Sequence, residues 1–369
     1  MAVRALARVN LGAIERNTAR LAAAAPRSAL CAVVKADAYG HGMIPVARAA
    51  LAGGAAQLAV VSAGEAAALR AAGIDAPVLL LGPLSDEELP IALAARAEIT
   101  VWRASTVAQV AALGGGRVHV KLDTGMGRLG TRDPDEARRV AAAAAAADGV
   151  ELVGLMTHFA TADDRDDPFF DVQLERFLDW AEPLRAEYPN VLLHAANSAA
   201  LLRAPRAQLD MVRPGVAIYG LDPFDVDPAA EGLEPALELV SYVAEVKPCA
   251  PGESAGYGRQ FIAQRPTTLA TVPIGYGDGW RRGLTNNAEV LIEGLRRPLV
   301  GTVSMDSITV DLGAGASVSI GAEVVLLGRR GGERILTEDV AQRLGTINYE
   351  VTCGLTARVP REYGEGAAA

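Results

Sequence analysis

Residues 30–73 read LCAVVKADAYGHGMIPVARAALAGGAAQLAVVSAGEAAALRAAG. A short apolar run, Leu30 to Lys35, gives way to an Ala-rich stretch, and a second run follows at Gln57 to Val61. Glu65 to Ala72 then carries strong helix formers up to Gly73, where a helix should stop. This is the βα alternation of a parallel sheet. It continues to about residue 225, with further apolar runs at Val78 to Leu81, Glu98 to Trp102, Arg117 to Leu122, Glu151 to Met156, Val191 to Ala195 and Leu209 to Arg213. Pro134 to Ala147 is another helical stretch, with Gly149 at its stop. Eight such runs predict an α/β fold of the (β/α)₈ TIM-barrel type. The competing layout, a doubly wound open sheet, lacks its early glycine-rich dinucleotide fingerprint.

The character changes after Asp222-Pro223, where a Pro/Asp-rich connector runs from Pro223 to Pro235. Beyond it, Leu237 to Val246, Thr268 to Pro273, Glu289 to Ile292, Leu299 to Val303, Ser307 to Asp311 and Glu323 to Leu327 alternate or run apolar between Gly-rich turns. A mainly β C-terminal domain is therefore expected after the barrel. The 369 residues are half apolar and 21% charged, enough to bury a large core and too apolar for extended disorder. With 35 basic against 44 acidic residues, a pI near 5.1 and no lysine-rich run, attraction to nucleic acid is disfavoured. Cys31, Cys249 and Cys353 have neither framework nor metal-knuckle spacing, which suits reduced thiols in a cytoplasmic protein. Met1 to Asn10 lacks a signal-peptide pattern and no apolar stretch is long enough to span a bilayer, so neither export nor membrane insertion is expected.

Only three of the 35 basic residues are lysines: Lys35, Lys121 and Lys247. Arginine stays protonated, whereas lysine can lose its proton and form a Schiff base or a carbamate. Lys35 ends the first apolar strand, and the C-terminal ends of barrel strands form the active face. An amine against apolar surroundings loses its proton more readily and can condense with an aldehyde. In isolation Lys35 would pass for a solvated strand end; lysine scarcity, the run before it and Tyr39 after it shift the weight. Barrels often bind phosphate in the loops after strands seven and eight, here Asn197-Ser198 and Arg213-Pro214-Gly215-Val216. Ser198 is placed to cap a short helix at Ala199, and Gly215 lets backbone approach an anion. A Schiff-base lysine with a phosphate site points either to pyridoxal 5′-phosphate or to an aldolase acting on a phosphorylated sugar.

Six segments together carry a resemblance to alanine racemase, the fold-type III pyridoxal-phosphate enzymes. They are Lys35 to Gly42, Lys121 to Gly130 (KLDTGMGRLG), Thr157 to Asp163 (THFATAD), Arg213 to Leu221 (RPGVAIYGL), Ile274 to Trp280 (IGYGDGW) and Asn348 to Tyr363, in family order and spacing over nearly the whole chain. The resemblance implies a barrel over 11–228 and a β-domain over 229–369 that also takes in residues 1–10 and contributes to a partner subunit's active site. It implies Lys35 as the lysine that holds the cofactor, with Tyr39, Ser198, Gly215, Val216 and Tyr349 at the phosphate and Asn197 beside them. Arg213 matches the arginine facing the pyridine nitrogen. A guanidinium does not readily give that nitrogen a proton, which we expect to suppress transamination and decarboxylation.

Racemisation removes a proton from one face of the α-carbon and returns one to the other, so two acid–base groups are needed. By resemblance these are Lys35 and, across a dimer interface, Tyr257 in Ser254-Ala255-Gly256-Tyr257-Gly258. His158 matches the residue that links this tyrosine to Arg213. Arg128 matches the cation for the substrate carboxylate, a role that suits bidentate arginine. Lys121 matches a lysine that is carbamylated in many relatives; a strand lysine in a salt bridge is the equal alternative. Met305 and Asp306 match partner-subunit residues at the substrate, with the Met305 N–H as carboxylate donor, and Tyr276 with Tyr349 resembles the pair that narrows access. Thr302 and Ser304 stand where relatives often have arginine and cysteine. The cluster Asp163, Asp164, Asp166 and Asp167 has no histidine at ligand spacing and reads as a solvated loop leading into a helix after Pro168, so no metal is expected.

The expectation is therefore a cytoplasmic, homodimeric enzyme that uses pyridoxal phosphate to interconvert L- and D-alanine, supplying D-alanine for peptidoglycan. The alternatives are a broader alanine/serine racemase, a decarboxylase of the same fold type, and a non-catalytic pyridoxal-phosphate carrier. The carrier consists of a barrel alone, and the extra β-domain argues against it.

Overall fold

The computed structural model describes residues 3–365; positions 1–2 and 366–369, the outer ends of the expected β-domain, lie outside the described residues. The chain divides into two compact units. One, here the barrel unit, comprises Ile14–Ala38 and Met43–Ile218; the other, the β-unit, comprises Met1–Ala13, Tyr39–Gly42 and Tyr219–Ala369.

Strand β1 (Leu6–Asn10) belongs to the β-unit. The barrel unit carries β2 (Ala29–Val33), β3 (Gln57–Val60), β4 (Val78–Leu80), β5 (Ala97–Val101), β6 (Gly116–Lys121), β7 (Val150–Met156), β8 (Leu192–His194) and β9 (Met211–Val212). Each falls within a residue or two of one of the eight apolar runs. They pair in parallel in the order β8-β7-β6-β5-β4-β3-β2-β9. The ring closes between β8 and β9 by single bonds, from the Asp210 N–H to the Leu193 carbonyl (3.0 Å) and from the Arg213 N–H to the Ala196 carbonyl (2.8 Å). Every residue of β3, β4 and β5 is buried, which is why these runs are mostly apolar with no solvent-facing alternation; Gln57, Glu98 and Thr100 are the buried polar exceptions. The flanking helices start where their caps dictate. Ser62 and Glu65 form a capping box before Ala63–Ala71, and Asp133 caps Pro134–Ala146, whose first residue is proline. One irregularity matters below: the β6–β7 register shifts after Val118, so that His119 faces Gly154.

The β-unit continues with β10 (Leu237–Tyr242), β11 (Glu245–Cys249), β12 (Ser254–Ala255), β13 (Phe261–Ile262), β14 (Thr267–Val272), β15 (Glu289–Ile292), β16 (Leu295–Pro298), β17 (Ile308–Asp311), β18 (Glu323–Arg330), β19 (Glu333–Ile335) and β20 (Arg361–Gly364). Its main sheet runs β16-β15-β18-β10-β1-β20, a second sheet is β11-β14-β17, and β12-β13 is a separate hairpin. A core that includes Trp280, Leu239, Val290, Leu326 and Val310 fills the space they enclose.

Two expected strands are corrected. Leu237 to Val246 is not continuous: the Val243 N–H bonds Ala322 and the Ala244 N–H bonds Thr271, so the chain changes sheets at that point. Leu299 to Val303 is no strand beyond one bridge at Leu299, because the Gly301 and Val303 N–H groups are taken by the side chains of Asn286 and Thr285.

Candidate active site

Lys35 follows the buried Val33 and Val34 at the end of β2 and opens a turn of unusual hand. Ala36, Asp37, Ala38 and Tyr39 all have φ between 51° and 54°, a left-handed helical turn built without glycine. Each such residue costs about 1–2 kcal/mol, so the turn persists only because it is clamped. The Ala38 N–H bonds the Val34 carbonyl (2.9 Å), and the Asp37 carboxylate accepts the Met43 N–H (2.8 Å). Glu65 accepts the Ala36 N–H (2.7 Å) with one oxygen and the Val61 and Ser62 N–H groups with the other. The same capping box that starts the helix Ala63–Ala71 thereby holds the lysine turn. The Ser62-x-x-Glu65 pattern was the signal that could have marked Glu65.

Arg213, 3% exposed, lies just past β9. It donates through NH1 to His194 Nδ1 (2.7 Å) and through NH2 to the carbonyls of Thr157 (2.7 Å) and Ala195 (3.0 Å) and to His158 Nδ1 (3.4 Å). Its Nε–H has no acceptor among the described residues, leaving a donor for a ligand. Burial lowers Arg213 to about 10, so it keeps its charge at neutral pH. Because a guanidinium only donates, His158 and His194 both accept at Nδ1 and carry hydrogen at Nε2. Burial first, and the Arg213 charge second, push both imidazoles well below 6.5. Lys121, Arg128 and Lys35 add to the positive field at His158.

Lys121, at the end of β6, is 4% exposed and has no hydrogen-bond or ion-pair partner among the described residues. Burial, then the charges of Arg213 and Arg128, lower it to about 8. A salt-bridged strand lysine is not what stands there. Arg128 is exposed on the loop that follows, and among the described residues no carboxylate pairs with it. Asp123 organises that loop by accepting the N–H groups of Gly125 and Gly127 and a bond from Arg132.

Ser198 is not the helix cap. Asn197 fills that position, its side chain accepting the Ala200 N–H (3.0 Å), and Ser198 is the first helical residue. The buried Ser198 hydroxyl instead accepts the N–H groups of Gly215 (3.0 Å) and Ala217 (3.3 Å), so its own hydrogen is free to be donated beside Val216.

The remaining expected residues lie on the β-unit. Tyr39 packs against Tyr219 (4.9 Å between ring centroids) and Tyr349 (5.9 Å). Burial pushes its phenol up, so it remains a donor. Gly40 permits this packing: its φ is +82° and a Cβ there would lie 2.3 Å from the Thr352 carbonyl oxygen. Tyr257 sits between Gly256 and Gly258, both with left-handed φ, and is 75% exposed. Its carbonyl accepts the Thr302 hydroxyl (2.6 Å), so Thr302 steadies the tyrosine turn. Tyr276 and Met305 come together because a Cβ on Gly275 would lie 2.2 Å from the Ser304 oxygen; the Tyr276 N–H bonds that oxygen (3.0 Å) and the Gly277 N–H bonds Met305 (2.9 Å). Asp306 pairs with Arg358 (2.6 Å). Asp164 and Asp167 fold their carboxylates back onto the N–H groups of Asp166 and Phe169, as in an ordinary loop before a helix.

The barrel, a lysine at a strand end and a buried arginine frame the candidate site, and comparison with known proteins gives the family. Residues 9–223 match the model of the alanine racemase N-terminal domain, and residues 236–363 that of the C-terminal domain. The chain belongs to the alanine racemase family. The alanine racemase of Geobacillus stearothermophilus is 43% identical over 365 residues, covering 96% of this chain and 92% of the relative. That of Desulforamulus reducens is 40% identical, covering 97% and 98%. Among solved structures, alanine racemase from Streptomyces coelicolor A3(2) superposes with a TM-score of 0.93 at 38% identity, covering 98% of both chains. The chain is thus an enzyme of the alanine racemase type, acting on a small amino acid. Among the described residues no helix is long and apolar enough to cross a membrane.

Proposed function

We propose that the enzyme interconverts L- and D-alanine with pyridoxal 5′-phosphate and two acid–base groups, in the cytoplasm, as a homodimer whose active sites are shared, and that its D-alanine serves peptidoglycan synthesis. The carrying observation is Arg213: a buried cation whose NH1 and NH2 nitrogens are both anchored and whose Nε–H has no acceptor among the described residues, as a partner for a ring nitrogen requires. The donor set fits the cofactor. Lys35 would hold it covalently. The Ser198 hydroxyl with the backbone of Gly215 and Val216, next to the Asn197 cap, would take the phosphate, with Arg213 at the pyridine nitrogen; the family resemblance adds the phenols of Tyr39 and Tyr349. Bound there, the group supplies the electron withdrawal that acidifies the α-hydrogen of an amino acid.

The chain's own residues divide the rest of the work. The Lys35 amine exchanges a proton on one face of the α-carbon, and the Tyr257 hydroxyl of a second copy does so on the other. His158, accepting from Arg213 at Nδ1, presents Nε2–H toward that tyrosine. Arg128 takes the substrate carboxylate, aided by the Met305 N–H beside Asp306, and Tyr276 and Tyr349 limit side-chain size to that of alanine or serine. Lys121 carries a carbamate: a buried amine on which the cations Arg213, Arg128 and Lys35 act, with Asp123 as the opposing charge, gains a favourable charge pattern when it becomes an anion. The barrel module spans 11–228, and 229–369 with 1–10 forms the module offered to the partner.

The test is incubation with L-alanine in deuterated water. Exchange at the α-carbon with inversion supports racemisation, whereas carbon dioxide release would indicate a decarboxylase, and a bound chromophore without exchange a carrier. Borohydride trapping followed by digestion should label the peptide containing Lys35; a label elsewhere, or none, defeats the proposal.

A further inference from the structure

Four side chains form one line through the barrel. Arg213 NH1 meets His194 Nδ1 (2.7 Å), His194 Nε2 meets His119 Nδ1 (2.9 Å), and His119 Nε2 meets Glu98 Oε2 (2.9 Å). None is more than 5% exposed. The line climbs from the second residue of β5, through β6 and the last residue of β8, to the loop after β9. We propose that Glu98 is a positioning residue for Arg213, acting through His119 and His194 by fixing the direction of every hydrogen bond between them. The proposal rests on the role given to Arg213 above.

The ends of the line are chemically one-way. A guanidinium can only donate and a carboxylate can only accept. Between those ends each imidazole has a single arrangement, accepting at Nδ1 and carrying hydrogen at Nε2. A proton added to either ring would set N–H against N–H somewhere along the line. Burial alone would raise the Glu98 carboxyl, but the hydrogen bonds from His119 and Arg117 and the Arg117 charge outweigh it and pull Glu98 below the usual carboxylate range, so the accepting end stays ionised. Glu98 is itself pinned by Arg117 Nε (2.8 Å) and Gln57 Nε2 (2.6 Å).

The backbone is built around this line. The register shift after Val118 brings Gly154 opposite His119, and a Cβ at 154 would lie 2.3 Å from His119 Nδ1 and 3.1 Å from His194 Nε2. A barrel layer is normally filled by branched apolar side chains, and a buried polar network rarely adds stability over them. Its product is therefore the placement of the guanidinium: His194 presents a lone pair to Arg213, and a reversed line would present an N–H and drive Arg213 away.

Two substitutions separate this role from packing. Glu98→Gln is nearly isosteric but brings amide hydrogens to a point where three donors already converge. His119→Gln removes more volume, yet its carbonyl can accept from His194 and its amide can donate to Glu98, preserving direction. In the loaded enzyme, Glu98→Gln should lower kcat by about tenfold with KM within about twofold, and shift the visible absorption band of the bound cofactor. His119→Gln should keep kcat within about threefold and retain the original band. A packing role gives the reverse order, and that order, or Glu98→Gln with unchanged kcat and band, overturns the proposal. A measurement without substitution decides independently of folding. The chain has four histidines, so a ¹⁵N-histidine spectrum of the holoenzyme near pH 8 resolves each ring. Nε2–H on both His119 and His194 is expected; Nδ1–H on either, or a doubly protonated ring, overturns the assignment. Failure of the functional reading is distinguishable, because the unsubstituted protein would then lack the cofactor band altogether.

Discussion

Arg213 and Tyr257 stand at opposite extremes of exposure. Arg213, on the barrel unit, is 3% exposed and held by two histidines and two carbonyls; Tyr257, on the β-unit, is 75% exposed and fixed only through its backbone and two left-handed glycines. A group that must tune a cofactor needs a dry, over-determined position, because electrostatic preorganisation weakens as water enters. A group lent to another copy must stay displayed until that copy arrives. The difference teaches that, in the proposed function, one chain would complete the electrostatic half of the site internally and leave its proposed second proton-transfer group, Tyr257, exposed.

The largest expected effect breaks the two regions apart and recombines them. Lys35→Ala and Tyr257→Phe should each lower racemisation by roughly 10³-fold or more. Mixing the two inactive proteins under conditions that allow subunit exchange should restore roughly a quarter of the activity per site, since half the dimers become hybrids with one intact site each. Recovery near zero would mean that Tyr257 serves its own chain.

Next comes Lys121, whose folded value of about 8 lies below its ordinary 10.5. The unfolded chain therefore binds more protons than the folded one in that interval, and stability should rise with pH from about 8 to about 10.5, by on the order of 3 kcal/mol in total. Below about 8 the full penalty of the buried ammonium applies. Denaturation midpoints in carbon-dioxide-free buffer should show this slope; Lys121→Met, or bicarbonate if the carbamate forms, should flatten it. A slope identical in Lys121→Met would assign it to other groups.

A smaller effect sharpens the barrel side of the comparison. Gly154→Ala should cost about 1–3 kcal/mol of stability through overpacking against His119, and should shift the His119 and His194 ring resonances together. A change confined to stability would separate Gly154 from the histidine line. Smallest is Ala36→Gly, which relieves a left-handed alanine at the expense of unfolded-chain entropy and should change stability by less than about 1 kcal/mol, in the favourable direction. Ala142→Gly, at an exposed interior position of the right-handed helix Pro134–Ala146, should instead cost about 1 kcal/mol in the same melting assay.

The barrel was legible because its strands are buried on both faces and therefore announce themselves as largely apolar runs, unbroken in Val78–Leu80 and interrupted in Ala97–Val101 only by Glu98 and Thr100. Much of the candidate site was legible for a different reason: its residues travel in contiguous motifs around Lys35, Lys121, Arg213 and Tyr257. What escaped depends on contacts between distant segments. Glu98, His119 and His194 lie on three strands, and nothing local says that a bulge and a glycine will bring their rings into line. Ser198 followed by Ala-rich sequence looks like a cap until Gly215 and Ala217 claim its oxygen. The break at Val243 was hidden because both sheets want the same apolar pattern, and Leu299 to Val303 because side chains, not a neighbouring strand, take its donors. The turn after Lys35 was unreadable because alanine is the strongest right-handed helix former.

That reversed hand also restricts what mutation can do there. A branched Cβ is worst tolerated at positive φ, while glycine, asparagine and aspartate tolerate it best. Positions 36–38 should therefore accept an alphabet of about four letters, alanine included. A saturation library across them would be expected to return almost no valine, isoleucine or threonine among active clones, although none of the three positions is assigned a part in the chemistry.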